Sequence, residues 1–175
     1  MNVDLFKKVT LIGCMTPAHH QNGRLTRDGI SSVAHVVQNF KARTFGIQPE
    51  LNQRIFLFVH EPTLQARHTC QEFARLLGIS HRTIEGLAVS KSLIGINPAS
   101  NAHWLGIIAR SAAASLDEKT TALVVVGSDE FCRRLPAVLA PDYVDAEMES
   151  LRPSYMHLIC KDSWGHILIT DQAGE

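Results

Sequence analysis

The 175-residue sequence lacks an excess of either charge, since 17 lysines and arginines stand against 17 aspartates and glutamates. It therefore offers no broad electrostatic footprint for nucleic acid or for an anionic membrane surface. It also lacks any C-x-x-C pair. Cys14, Cys70, Cys132 and Cys160 lie far apart, which argues against structural zinc and dithiol redox motifs and leaves a reduced, cytoplasmic setting as the expectation. No stretch approaches the roughly 20 apolar residues of a membrane span, and the opening MNVDLFKK has no apolar signal core. Repeats and low-complexity linkers are absent as well. What is present is a 45% hydrophobic chain, enough for one substantial core, and a single domain over 1–175 is the expectation.

Short β-rich runs alternate with helical stretches. Val9 to Cys14, Ile55 to Val59 and Ala122 to Val126 read as buried strands. Thr26 is placed to cap a helix over Arg27 to Lys41, where Ile30, Val33, Val37 and Phe40 fall at helical spacing. A second helix is expected from near Pro62 to about Leu77, with Gly78 as its stop. Trp104 to Ser115 and Phe131 to Leu139 are further helical candidates, and Tyr155 to Cys160 with His166 to Thr170 reads as a terminal hairpin. The alternation predicts an α/β three-layer sandwich, with a mainly parallel central sheet flanked by helices and a C-terminal β-hairpin. In such sheets the site lies beyond the carboxyl ends of the strands. The ends concerned are Gly13-Cys14-Met15, His60-Glu61-Pro62 and Gly127-Ser128-Asp129.

These strand ends carry a resemblance. The chain resembles the histidine phosphatase (phosphoglycerate mutase-like) superfamily, especially its small bacterial phosphohistidine phosphatases. There the first strand ends in R-H-G and leads to an L-T-x-x-G helix start; here Gly13-Cys14-Met15 is followed by Leu25-Thr26-Arg27-Asp28-Gly29. The family's second strand leads into S-S-P-x-x-R-A-x-x-T-A, matched by His60-Glu61-Pro62-Thr63-Leu64-Gln65-Ala66-Arg67-His68-Thr69-Cys70 with proline, alanine and threonine in register. A late V-G-H is represented by Val126-Gly127-Ser128.

The resemblance implies a phosphoryl-transfer site whose working residues have been replaced. In the family the first-motif histidine attacks phosphorus, paired arginines hold its oxygens and the late histidine adds positive charge. The matching positions here are Cys14 for the nucleophile, Gly13 and Gln65 for the arginines, and Ser128 for the late histidine. A charged hydrogen bond contributes about 1.5–3 kcal/mol, so two missing arginines remove several kcal/mol of phosphate binding. Loss of a nucleophile costs on the order of 10⁶ in rate in a well-studied hydrolase. A catalytically degenerate protein with a binding or regulatory role is the expectation, its partner an unknown small ligand or protein, with self-association into a homo-oligomer as another use of its surface.

Cys14 is also a candidate replacement nucleophile in a divergent phosphatase, with His19 and His20 placed to lower its pKa if their loop folds back. However, the arginine that cysteine phosphatases carry six residues on is His20 here, and a small buried apolar residue is the simpler reading. Around the strand ends, Gln65 and Ser128 are expected to line a ligand site with Cys14. His19, His20 and His60 are expected near its mouth, with Arg24 and Arg67 as the cations beside it. No H-x-H, H-E-x-x-H or Cys/His cluster is present, so neither metal nor other cofactor is expected.

Cys70 to Leu87 supports a different class of function, a DNA-binding regulator. Ala74, Gly78, Ile79, Ile84 and Leu87 fit a helix-turn-helix, with Ser80 capping the second helix. That second helix would carry Arg82 as its one firm cation, beside Glu85 and a helix-weakening Gly86. The same letters read as a helix, a Gly78 stop and an extended segment near Thr83 to Glu85. This second reading is preferred, and nucleic-acid binding is not expected.

Overall fold

A computed structural model describes residues 11–47, 49, 55–61, 63–78, 81–84, 120–130, 132–133, 150–160 and 166–171. Its strands are β1 (Leu11–Met15), β2 (His20–Gln21), β3 (Arg24–Leu25), β4 (Ile55–His60), β5 (His81–Ile84), β6 (Thr120–Val126), β7 (Met156–Cys160) and β8 (His166–Ile169). Helix α1 spans Arg27–Thr44 and helix α2 spans Leu64–Leu77. Six strands form one sheet in the order β5-β4-β6-β1-β7-β8, and β2 pairs with β3 apart from it. The first three pairings, β5-β4, β4-β6 and β6-β1, are parallel, while β1-β7 and β7-β8 are antiparallel. This is the mainly parallel sheet with a C-terminal hairpin that the sequence implies.

Alternation along the strands divides the apolar residues between two faces. Leu11, Met15, Phe56, Phe58, Val124, Val126, Met156 and Leu158 join one core cluster with Val33, Val36, Val37 and Phe40 of α1 and Cys70, Phe73 and Leu77 of α2. Phe40 lies at its centre, edge-on to Phe45, Phe56 and Phe73 at 6.2, 6.0 and 5.4 Å between ring centres. Ile12, Cys14, Val59, Leu123, Val125 and Ile159 face the other way and are buried too. A sheet covered on both faces explains why its central strands read as unbroken apolar runs.

The helix ends follow their sequence signals. Thr26 caps α1 by accepting from the Gly29 N–H at 3.0 Å, and Thr63 caps α2 by accepting from the Ala66 N–H at 3.1 Å. Gly78 ends α2 in the left-handed conformation at φ +66°, which glycine adopts without cost. Helix α2 thus begins at Leu64, after the Thr63 cap, while Pro62 lies outside the described residues. Within α1, Ile30 is 44% exposed and Val36 takes the place in the core that the spacing assigns to it.

The helix-turn-helix reading of 70–87 is overturned. His81–Ile84 is a strand, paired in parallel with Phe56 to Val59, so Arg82 belongs to an edge strand and no recognition helix starts there. The helix candidate Trp104 to Ser115 lies outside the described residues, as does most of Phe131 to Leu139; only a helical turn around Asp129 to Arg133 is described there. Among the described residues, no helix is long and apolar enough to cross a membrane.

Candidate functional site

Parallel pairing brings the three strand ends to one edge. Cys14 stands opposite Val125, which stands opposite Val59, and His60 is level with Val126. Beyond the ladders the backbone stays tied: the Glu61 N–H donates to the Val126 carbonyl and the Gly127 N–H to the Met15 carbonyl, both at 2.9 Å. The loop after β1 is held from below and from the side. Thr16 donates its hydroxyl to the Arg152 carbonyl at 2.6 Å, and the Ala18 N–H donates to Thr69 Oγ1 at 2.9 Å. The His19 carbonyl accepts from the Thr26 N–H at 3.1 Å, and a methyl group at Gly29 would collide with it. The L-T-x-x-G and the threonine of α2 are therefore the parts that seat this loop.

The positions that would bear chemistry are arranged differently. Cys14 is wholly buried, and its burial pushes the thiol far above its ordinary pKa. Its cross-strand neighbour on β7 is His157, itself 2% exposed. Gly13 points its missing side chain at β7, where an added Cβ would stand 3.0 Å from Met156 Sδ and 3.2 Å from its Cε. The thioether of a fully buried methionine thus occupies the space that an arginine at position 13 needs. Gln65 and Arg67, on the first turn of α2, are exposed, and Arg24 is exposed on the β2-β3 hairpin.

Ser128 is drawn into the site by a residue that motif matching passes over. Its N–H and hydroxyl donate to the carboxylate of Glu61, which is 5% exposed. Burial holds the Glu61 carboxyl above the usual range, opposed by those two hydrogen bonds. Burial pushes the Cys132 thiol up, and its closeness to Cys14 and Glu61 acts in the same direction. The cue for Glu61 was its position directly after a buried strand, the same cue that singled out Cys14.

The histidines separate into two places. His60, 3% exposed, bonds through Nδ1 to the Glu61 carbonyl oxygen at 2.8 Å. His20 bonds through Nδ1 to the Ala18 carbonyl at 2.7 Å and stacks on His68, with ring centres 5.7 Å apart. His19 is exposed and meets Thr26 Oγ1 at 3.0 Å. Among the described residues, no three histidine, cysteine or acidic side chains converge as a metal ion requires. The edge thus gathers a carboxyl, a hydroxyl and an imidazole beside a wholly buried thiol, the carboxyl and the imidazole being buried in their turn.

No protein-family profile and no curated protein sequence matches the chain. Solved structures do. A protein from Agrobacterium tumefaciens assigned as a phosphohistidine phosphatase superimposes with a TM-score of 0.50 at 15% identity, over 95% of this chain and 99% of its own. A mycobacterial glucosyl-3-phosphoglycerate phosphatase gives 0.52 at 13% identity, over 92% and 97%. The phosphoserine phosphatase of Entamoeba histolytica, solved with phosphoserine as a histidine-to-alanine mutant, gives 0.53 at 12% identity, over 93% and 96%. The chain has the fold of the histidine phosphatase superfamily.

Proposed function

We propose that this chain is a catalytically degenerate protein on a histidine-phosphatase fold, acting in the cytoplasm by binding a small ligand or a protein partner. The observation that carries the reading is the complete burial of Cys14 at the position matching the family nucleophile. A nucleophile must be reachable and deprotonated, and this thiol is neither, which also weighs against a divergent cysteine phosphatase. Phosphoryl transfer rests on positioning and on neutralising the transferring oxygens. At this edge Gly13 lies against Met156, Gln65 carries no charge and Ser128 is bonded to an acid.

The test is an assay of phosphohistidine and aryl phosphates with the unmodified protein beside Cys14→Ala, without metal and then with zinc or manganese. No turnover above background is expected from either. Robust turnover that disappears in Cys14→Ala would make the chain a cysteine enzyme.

A further inference from the structure

The carboxyl-terminal edge of the sheet holds two buried acceptors that no group among the described residues satisfies. Glu61 takes both hydrogen bonds from Ser128, yet its Oε1 is buried without a partner. His60 Nδ1 must carry the ring proton, because the Glu61 carbonyl oxygen it meets at 2.8 Å can only accept. With that proton on Nδ1, Nε2 is left as the acceptor of the ring, and that atom is likewise buried and without a hydrogen-bond partner. Such atoms cost stability until a donor reaches them.

Two acids adjoin them in the chain, one of them paired with Arg133. Asp129 and Glu130 follow Ser128 directly. Asp129 accepts from the Ser150 hydroxyl and the Leu151 N–H, both at 2.6 Å, and lies 3.5 Å from Arg133 Nε. An ionised phosphate would bring further acceptors and further negative charge to this edge. An ammonium or guanidinium group brings donors alone, with the opposite charge.

We infer that this edge binds the ammonium or guanidinium group of a small cationic molecule, which donates to Glu61 Oε1 and finds a second acceptor in His60 Nε2. The inference rests on the reading above that the chain binds and does not hydrolyse. It also gives a use to a carboxyl that stands where the resemblance places a serine.

The probes are methylguanidinium, its uncharged counterpart methylurea, and inorganic phosphate, each titrated into the full chain at constant ionic strength and followed by amide NMR. Methylguanidinium is expected to shift the Glu61, Gly127 and Ser128 signals saturably, while methylurea and phosphate leave them in place. Glu61→Gln should weaken that binding by on the order of tenfold or more, as the loss of a charged hydrogen bond requires. Unchanged α1 signals report that the variant is folded, and the methylurea arm decides the matter without any variant. Equal shifts from methylurea, or none from methylguanidinium, would overturn the cation assignment alone. Turnover of phosphohistidine would instead overturn the reading beneath it.

Discussion

Two sets of positions within the same motifs behave in opposite ways. The residues that seat the loops do what their spacing implies: Thr26 and Thr63 cap helices, Thr69 holds the Ala18 N–H, and Gly29 leaves room for the His19 carbonyl. The positions that the resemblance assigns to substrate contact lie in other surroundings. Cys14 is core, Gly13 is covered by Met156, and Ser128 braces Glu61. The difference separates what holds the scaffold together from what would act on a substrate. A cap or a close backbone approach is needed for folding whatever the protein does, whereas an arginine with no phosphate to hold is a buried charge to be removed.

The largest effect is expected from forcing one set back toward the other. Gly13→Arg must drive a guanidinium against Met156 inside a closed core, which costs about 3 kcal/mol or more as an unpaired buried charge. Gly13→Ala asks only that the end of a flexible thioether move. Urea unfolding of the two variants should therefore show a wide gap between them, and equal midpoints would mean that the edge still has room for the arginine.

Gly29→Ala tests the retained set. The added methyl meets the His19 carbonyl, a backbone atom that cannot swing aside, so a loss of about 1–3 kcal/mol is expected despite alanine's better helix propensity. A neutral or stabilising result would show that the loop after β1 is not seated on α1 in this way.

The smallest effect is a slope. Glu61 has its folded pKa raised by burial, so between the ordinary carboxylate value and that raised value the folded chain holds more protons than the unfolded one. Stability contributed by the neutral acid is present below that window and is lost as pH rises through it. Glu61→Gln has no proton to lose. The native protein should consequently lose ground to Glu61→Gln as pH is raised from about 4 toward 7 in thermal unfolding, starting from the reference range for carboxyls. Parallel stability curves would place the carboxyl in water.

Most of the scaffold was legible because it depends on local rules. Apolar runs marked β1, β4 and β6, and Thr26 and Gly78 marked helix ends within a residue. What escaped had weak or competing signals. His81–Ile84 has one apolar residue in four, and its strand is made by pairing with β4, while the letters around it imitate a helix-turn-helix. The β2-β3 hairpin had a signal that went unused: Asn22 and Gly23 both take positive φ, 53° and 74°, as an Asn-Gly turn between paired strands prefers. Ile30 and Val36 both fit helical spacing, and only packing against the sheet decides which is buried. At the site the letters could be read, but their contacts could not, because Met156 over Gly13 and Ser128 under Glu61 are contacts between distant segments.

The central claim, that the reactive edge has been closed and not merely relettered, is tested most directly by the reactivity of one thiol. Iodoacetamide labelling at Cys14, followed by mass spectrometry, can be timed in the native protein and in urea. The account predicts labelling in urea and essentially none in the native state, since the thiol is fully buried and held protonated. Native labelling of Cys14 as fast as in urea would contradict it, and would restore an open nucleophile to the end of the first strand.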